Sequence, residues 1–200
     1  MKTLILVRHG ETEKNVNKSL HSANDPELLN ATGRQQIKQT AERLKKFSPT
    51  KIYCSNEARA IESGEIIAKS LEIPVEKIEG MQERNWGAFT GKPWEIVKKL
   101  LDPMTLEERY DYVPSGGESW RTFETRLVQA IESITKDIKG TIVVVTHGGA
   151  IRALMPFLLN VPKEESFKYD PDNASLTIFE IENSHFKSKT VNDTTHLTKP

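Results

Sequence analysis

Short apolar runs alternate along the chain with longer segments in which apolar residues recur every three or four positions. Short runs that are rich in β-branched residues are typical of strands. Four such runs occur, at 4–7, 51–54, 142–145 and 176–181. The runs at 4–7 and 142–145 are apolar at every position, which is typical of strands covered on both faces of a sheet. A more polar run at 186–191 is expected to form an edge strand.

Helical periodicity fills the intervals between the predicted strands. The first helix is expected to begin at Thr32, because Thr32 and Gln35 have the spacing of a capping box. Three apolar residues then follow at helical spacing, namely Ile37, Ala41 and Leu44. Two further helices are expected over 57–71 and 150–159.

The clearest helical pattern begins near Ser119. Apolar residues recur every three or four positions from Trp120 to Ile138, and Gly140 stands where the helix would end. Strands that alternate with helices imply βαβ units and a parallel sheet with helices on both faces. We therefore expect the fold class α/β, as a three-layer αβα sandwich with a mostly parallel central sheet.

The length of 200 residues predicts a single domain over 1–200. Residues 85–118 lack a clear period and contain several aromatic residues, prolines and glycines. We interpret this segment as an irregular excursion over the functional site that forms a lid and sets specificity. The polar tail at 192–200 is expected to be loosely held.

The net charge of the chain limits the classes of molecule that the protein is expected to bind. Lys and Arg number 28 and Asp and Glu number 28, so the formal net charge is zero. A neutral chain has no bulk field for nucleic acid or for an anionic membrane, so we expect neither partner. Any anion must therefore be bound by local positive charge. No segment approaches the roughly 18 apolar residues that a membrane-spanning helix needs.

The single cysteine, Cys54, excludes an internal disulfide and a cysteine-based metal site. It lies inside an apolar run, and we expect a buried, inert thiol. This cysteine usage suits a reducing cytosol, and we expect a cytoplasmic protein. The histidine spacings lack a zinc pattern, and the sequence contains no P-loop, nucleophile elbow or dinucleotide fingerprint.

Basic and imidazole side chains follow three of the predicted strands directly. Arg8 and His9 follow the first strand, Arg59 lies just beyond the second, and His147 follows the strand at 142–145. The carboxyl ends of neighbouring parallel strands meet at one edge of a sheet, where ligands bind. Cations that lie close together there would repel one another unless they bind an anion. Arginine favours a phosphate group as that anion, and a carboxylate remains an alternative. For Trp86 and Trp94, packing in the core or lid is favoured over stacking on a substrate.

Four motifs together carry a resemblance to the histidine phosphatase superfamily, in its phosphoglycerate mutase-like group. They are Arg8-His9-Gly10-Glu11-Thr12 with Asn15, Ser55-Asn56-Glu57-Ala58-Arg59-Ala60, Gln82-Glu83-Arg84-Asn85-Trp86-Gly87, and Thr146-His147-Gly148. Their order matches that of the predicted elements, and the resemblance covers nearly the whole chain. It implies the fold expected above and a reaction that needs neither a metal nor a cofactor.

The resemblance also implies a role for each candidate residue. His9 is expected to attack the phosphoryl group and become a phosphohistidine, and Glu83 is expected to act as the general acid and then as the general base. The remaining candidates, which are expected to bind the phosphoryl oxygens, are Arg8, Asn15, Arg59, His147 and Gly148. The resemblance implies that Arg8, Arg59 and His147 are also catalytic, because they stabilise charge during the transfer.

Two departures from the family pattern bear on the substrate. In the family, a glycine and an aromatic residue often follow the Asn15 position, but this chain has other residues at 18–23. The sequence therefore does not predict which residues contact the substrate at that rim. The mutase branch carries paired arginines in a longer insertion, whereas residues 85–118 offer only Arg109 besides lysines. We therefore expect a phosphomonoesterase of the phosphatase branch.

The expected substrates are small phosphorylated metabolites such as sugar phosphates, phosphoserine or a nucleotide-like phosphate. A phosphoglycerate mutase and a non-catalytic module that binds phosphorylated ligands remain the alternatives. The oligomeric state stays open, and a homodimer is one of the options.

Overall fold

The computed structural model describes residues 2–21, 25–183 and 185–198, and these form a six-stranded sheet. The strands are β1 (Lys2–Arg8), β2 (Pro49–Ser55), β3 (Val75–Ile78), β4 (Thr141–Thr146), β5 (Leu176–Glu182) and β6 (His185–Asp193). Their order across the sheet is β3-β2-β4-β1-β5-β6. The strands β1 to β4 are parallel, whereas β5 runs antiparallel to β1 and β6 antiparallel to β5.

Helices cover both faces of this sheet. They are α1 (Glu13–Val16), α2 (Ala31–Leu44), α3 (Ala58–Leu71), α4 (Trp94–Leu101), α5 (Leu106–Asp111), α6 (Trp120–Thr135) and α7 (Gly148–Leu159). The predicted fold class, a three-layer α/β fold with a mostly parallel sheet, is confirmed. In the part of the chain that the structure describes, no helix has both the length and the apolar character needed to cross a membrane.

Two apolar clusters hold the three layers together. Leu4 and Leu6 of β1 face the cluster that contains Phe123 of α6, whereas Ile5 and Val7 face the opposite cluster under α2 and α3. This alternation follows from the two-residue period of a strand. Because the middle of β1 is buried on both faces, its residues 4–7 are all apolar, as their pattern predicted.

The strand β3 was not predicted, because its sequence lacks a run of apolar residues. Only Val75 and Ile78 of its four residues are apolar, and Glu76 and Lys77 between them are exposed. It occupies one edge of the sheet, where such a polar strand is tolerated. The edge strand expected at 186–191 is present as β6 at the other edge.

Three predicted helix ends were wrong. Asn30 rather than Thr32 caps α2, because its side chain accepts a hydrogen bond from the Gly33 N–H at 2.8 Å. Ser119 caps α6 as expected, but the helix ends at Thr135, and Ile138 reaches the core from the turn that leads to Gly140. The helix expected from 150 begins at Gly148, directly after the strand end.

Residues 85–118 are more regular than expected. They contain α4 and α5 besides a short 3-10 turn at Gly87–Phe89. Trp86, Val97 and Leu101 form a small apolar cluster of their own. The period was missed because these helices are short and expose most of their residues. The interpretation of 1–200 as one domain stays a prediction.

The polar tail is held rather than loose over its described part. His196 Nε2 lies 3.0 Å from Thr40 Oγ1 and 3.2 Å from the Ala174 carbonyl oxygen. Leu197 packs against the apolar cluster under α2 and α3. The expectation of a loose tail is therefore wrong for 192–198, whose first two residues end β6, and residues 199–200 lie outside the described residues.

Candidate active site

Three neighbouring strands end side by side at the site. In the order β2-β4-β1, these strands finish at Ser55, Thr146 and Arg8, and the next residues enter loops or helix starts. The rings of His9 and His147 consequently lie close together, with their centroids 5.2 Å apart. The convergence expected from the strand ends is therefore present in the structure.

His9 is buried and oriented on both of its ring nitrogens. Its Nδ1 lies 2.8 Å from the Gly10 carbonyl oxygen, which can only accept, so Nδ1 carries the proton. Its Nε2 accepts a hydrogen bond from Arg59 Nε at 3.3 Å. Burial lowers the pKa of His9 well below its usual value, and the charges of Arg59 and Arg8 lower it further. A neutral imidazole with a lone pair on Nε2 is the state that a nucleophile needs.

The loop that carries His9 depends on close backbone packing. A Cβ on Gly10 would lie 2.5 Å from the Gly33 carbonyl oxygen at the start of α2. A Cβ on Gly33 would in turn lie 2.6 Å from the Glu11 nitrogen. Any side chain at either position would push the loop away from α2 and displace His9, so both positions require glycine.

His147 is fully buried and reaches Ser55 through one ring nitrogen. Its Nε2 lies 2.9 Å from Ser55 Oγ, and that oxygen also accepts from the Glu57 N–H at 3.4 Å. Ser55 Oγ can donate its proton to Nε2, and in that tautomer Nδ1 of His147 carries the ring proton and is a donor. Burial lowers the pKa of His147 well below its usual value, and the nearby charge of Arg59 adds to this effect.

Two arginines complete a set of donors that lack partners. Arg8 Nη1 donates to the Pro171 carbonyl oxygen at 2.6 Å, and Arg59 is paired with the carboxylate of Glu57. Among the buried nitrogens of the described residues that have no hydrogen-bond partner, Arg8 Nε, Arg59 Nη1 and His147 Nδ1 belong to side chains around His9. Unpaired buried donors are costly unless a ligand satisfies them. Their common location beside His9 fits an oxyanion.

Glu83 lines the same cleft as His9 and is fixed by two backbone donors. Its Oε2 accepts from the Gly149 N–H at 2.9 Å, and its Oε1 accepts from the Arg84 N–H at 2.8 Å. The Glu83 N–H itself donates to Glu57 Oε1 at 3.1 Å. The carboxyl group is thus held at the start of α7, where it can exchange a proton with a ligand beside His9.

Asn15 and Gly148 also reach the cleft. Asn15 Oδ1 accepts from the Thr12 N–H and from Asn173 Nδ2, both at 3.1 Å, which leaves the amide nitrogen of Asn15 as a donor for a ligand. Gly148 packs against the Arg8 guanidinium, and a Cβ there would lie 3.2 Å from Arg8 Cζ. The structure thus brings together all the site residues that the sequence indicated.

Some residues at the site were not singled out from the sequence. Asn173 donates to the His9 carbonyl oxygen at 3.1 Å, and no sequence signal marked it because it lies far along the chain. Arg84 stacks on the Trp86 ring at 4.1 Å and donates to the carbonyl oxygens of Tyr112 and Glu118. Its place beside Glu83 in the motif was the signal that could have found it.

His21 is a further residue that sequence reasoning left without a role. Its ring packs edge-on to His9 with the centroids 5.9 Å apart, and its Nε2 lies 2.9 Å from Glu27 Oε2. Burial, with the charge of Arg59 next, lowers the pKa of His21 to about 3. The rim that departs from the family pattern therefore places an imidazole in the cleft, while residues 22–23 lie outside the described residues.

The cleft above the cradle has a volume of about 470 Å³. Trp86 and Trp94 pack edge-to-face, with their ring centroids 5.7 Å apart, and both also line the cleft. The two rings thus pack together in one apolar cluster, while their role as lid or as substrate contact stays a prediction. Lys18 and Arg152 contribute positive charge to the walls.

Cys54 is a free, buried thiol whose pKa burial raises to about 11, in keeping with the inert thiol expected. Within the described ranges, no three His, Cys, Asp or Glu side chains are grouped so as to hold a metal ion.

The fold and the site together define an α/β protein with a buried histidine beside an oxyanion cradle. The family model of the histidine phosphatase superfamily, branch 1, matches residues 4–194, and the chain belongs to that superfamily. The resemblance stated from the motifs is therefore confirmed.

Relatives of both reaction types are similar to the chain. A 2,3-bisphosphoglycerate-dependent phosphoglycerate mutase of Thermoplasma acidophilum is 29% identical over 195 residues, which cover 91% of this chain and 88% of the relative. A metal-independent phosphoserine phosphatase of Arabidopsis thaliana is 29% identical over 201 residues, which cover 97% and 82%. The solved structure of Bacillus stearothermophilus YhfR gives a TM-score of 0.86 at 28% identity and covers 98% of this chain and 99% of that chain.

Proposed function

We propose that the protein is a metal-independent phosphomonoesterase that hydrolyses small phosphorylated metabolites through a phosphohistidine on His9. One observation carries the proposal: His9 Nε2 stands among three buried nitrogens without partners, on Arg8, Arg59 and His147, and the arginine N–H that it accepts from can turn to a phosphoryl oxygen and free its lone pair. A phosphoryl group placed against Nε2 would satisfy these donors and bring its phosphorus within reach of the nucleophile.

In the first step, His9 Nε2 attacks phosphorus and the bond from phosphorus to the ester oxygen breaks. Glu83, in its protonated form, gives its proton to the departing oxygen, so that an alcohol leaves. Arg8, Arg59 and His147 hold the phosphoryl oxygens as negative charge shifts among them, with the Asn15 amide as a further donor. The Gly10 carbonyl oxygen accepts from Nδ1–H and stabilises the positive charge that develops on the ring.

In the second step, water attacks the phosphohistidine on the side from which the alcohol departed. The Glu83 carboxylate takes a proton from this water, and the bond from Nε2 to phosphorus breaks. Inorganic phosphate forms, His9 returns to its neutral state, and Glu83 is again protonated. No redox change and no net proton uptake by the protein occur over the cycle.

The lack of paired arginines in 85–118, where Arg109 stands alone, supports hydrolysis over phosphoglycerate mutase activity. Its Nε donates to the Met104 carbonyl oxygen at 3.1 Å, and its Nη2 donates to that of Asp102 at 3.0 Å. Two of its three guanidinium nitrogens are therefore engaged in its own segment, although the side chain also lines the cleft, and 85–118 offers no second arginine to pair with it. Sugar phosphates, phosphoserine and nucleotide-like phosphates are the proposed substrates, and a cytoplasmic location belongs to the same proposal.

Phosphate release from a panel of phosphomonoesters in the presence of EDTA tests this function. We expect release from some members by the wild-type protein, loss of release in His9→Ala, and unchanged release in the control His185→Ala, which changes an exposed histidine. Full activity of His9→Ala would refute the mechanism. Isomerisation of 3-phosphoglycerate without net release would identify a mutase, and phosphate binding without either reaction would identify a binding module.

A further inference from the structure

A buried carboxylate lies directly beneath the phosphoryl cradle. Glu57 is only 2% exposed and precedes the first turn of α3, yet its side chain makes no capping hydrogen bond to that helix. The carboxylate instead pairs with Arg59 Nη2, and its Oε1 accepts from the Glu83 N–H at 3.1 Å. Its Oε2 also lies 3.7 Å from His147 Nε2. Glu57 thus contacts three members of the site without facing the cleft itself.

The surroundings of Glu57 make its charge sensitive to pH near neutrality. The charged or titratable groups that face it are Arg59 on α3, Glu83 in the loop after β3, and His147 between β4 and α7. Burial raises the pKa of Glu57 to about 7 and the Glu83 charge adds to this, while Arg59 acts in the opposite direction. Both protonation states are therefore accessible in the range where the protein would work.

Arg59 is the point at which Glu57 and a bound anion would meet. The guanidinium reaches His9 Nε2 through Nε and Glu57 through Nη2, while Nη1 has no hydrogen-bond partner among the described residues. An anion bound against His9 would therefore share one cation with the carboxylate. An ionised Glu57 offsets part of that positive charge, and a protonated Glu57 does not.

We propose that Glu57 is a positioning residue that competes with the bound anion for Arg59, and that it thereby weakens the hold of the site on the phosphate ion released by the reaction. The proposal rests on the proposed function only in taking the cradle as the phosphoryl site. The same contact keeps Arg59 directed at His9, so Glu57 both orients the arginine and limits its affinity for anions.

Calorimetric titration with sulfate tests the competition without any turnover. Sulfate stays dianionic across the pH range of the assay, so a change in its affinity reports the protein rather than the ligand. Burial lowers the pKa of His9 and of His147 well below the usual value and lowers that of His21 to about 3, so these rings are expected to stay neutral in the free protein. At pH 8 we expect Glu57→Gln to bind sulfate about tenfold more tightly than the wild type, which corresponds to about 1.4 kcal/mol. The glutamine retains the acceptor for the Glu83 N–H.

Glu11→Gln is the matched control, because it removes one negative charge from the loop next to His9. The Glu11 carboxylate accepts from Asn30 Nδ2 at 2.9 Å and does not contact the cradle arginines. We expect its affinity for sulfate to stay within about twofold of the wild type. In turnover, Glu57→Gln should show stronger product inhibition by phosphate, with a smaller change in the apparent first-order rate at low substrate.

The pH dependence of sulfate affinity in the wild type is a second test, and it does not depend on a variant that folds. Sulfate affinity should rise as pH falls from 8 to 6 in the wild type and should stay flat in Glu57→Gln. Equal affinity of the two proteins at pH 8, weaker binding by Glu57→Gln, or a flat wild-type profile would overturn the competition while leaving the proposed function intact. Failure of the wild type and of His9→Ala to bind sulfate at any pH would instead remove the anion site on which the proposed function rests.

Discussion

A methyl group at position 149 would collide with the carboxylate of Glu83. A Cβ built on Gly149 lies 2.9 Å from Glu83 Cδ and 3.0 Å from Oε2, and it lies closer still to Oε1. The atoms that it meets are the end of a flexible side chain and not backbone, so the carboxylate can swing aside. We therefore expect Gly149→Ala to fold normally, since alanine also favours the helix by up to about 1 kcal/mol.

The expected displacement of the Glu83 carboxylate is large enough to impair proton transfer. To restore an ordinary contact the carboxylate must move by about 1 Å, and a misplacement of this size costs about 100-fold in rate. We expect this loss for alkyl phosphates, whose leaving oxygen needs the proton. Aryl phosphates, which leave without such help, should lose much less, and sulfate binding should not change.

The assay is the steady-state rate on one alkyl and one aryl phosphate for Gly149→Ala, Glu83→Gln and the double variant. If the methyl group acts through the carboxylate, the double variant should be no slower than Glu83→Gln alone. Independent losses that multiply in the double variant would refute this reasoning. Equal losses on the two substrates would refute the role of Glu83 as the acid.

Two further predictions concern stability. Ser119→Ala removes the oxygen that accepts from the Thr122 N–H at 3.0 Å, and denaturant unfolding should show a loss of about 1 kcal/mol; an unchanged midpoint would contradict the cap. Because burial raises the pKa of Glu57 from 4.5 to about 7, the folded state holds this proton more tightly than the unfolded chain. The free energy of unfolding should therefore fall by roughly 3 kcal/mol as pH rises from about 4.5 through about 7, and Glu57→Gln should lack this slope in parallel urea titrations.

The central strands were predictable because burial leaves a direct trace in their sequence. A strand covered on both faces, such as β1 or β4, must be apolar at nearly every position, and few other structures require that pattern. The edge strand β3 carries no such constraint, since half of its residues face solvent. The cap of α2 was misplaced because Asn30 and Thr32 are both good capping residues, and contacts with the loop after β1 decide between them.

The sequence predicted those site residues whose reactive side chains lie directly after the end of a strand. His9, Arg59 and His147 lie within a few residues of parallel strands, so topology alone brings them together. Asn173 contacts the loop that carries His9, but it lies far from that loop in the sequence, and no local sequence pattern predicts this contact. Glu57 lay inside a motif that was interpreted only for its arginine, and the folded structure shows that its carboxylate pairs with Arg59.

The most direct test of the account is to trap the phosphoenzyme. A labelled substrate identified in the panel would be mixed with the protein, quenched in alkali to preserve a phosphohistidine, and digested for mass spectrometry. The account predicts one phosphoryl group on the peptide that contains His9, and its accumulation in Glu83→Gln when an aryl phosphate is used. Turnover without any such adduct, or an adduct on His147 instead, would contradict it.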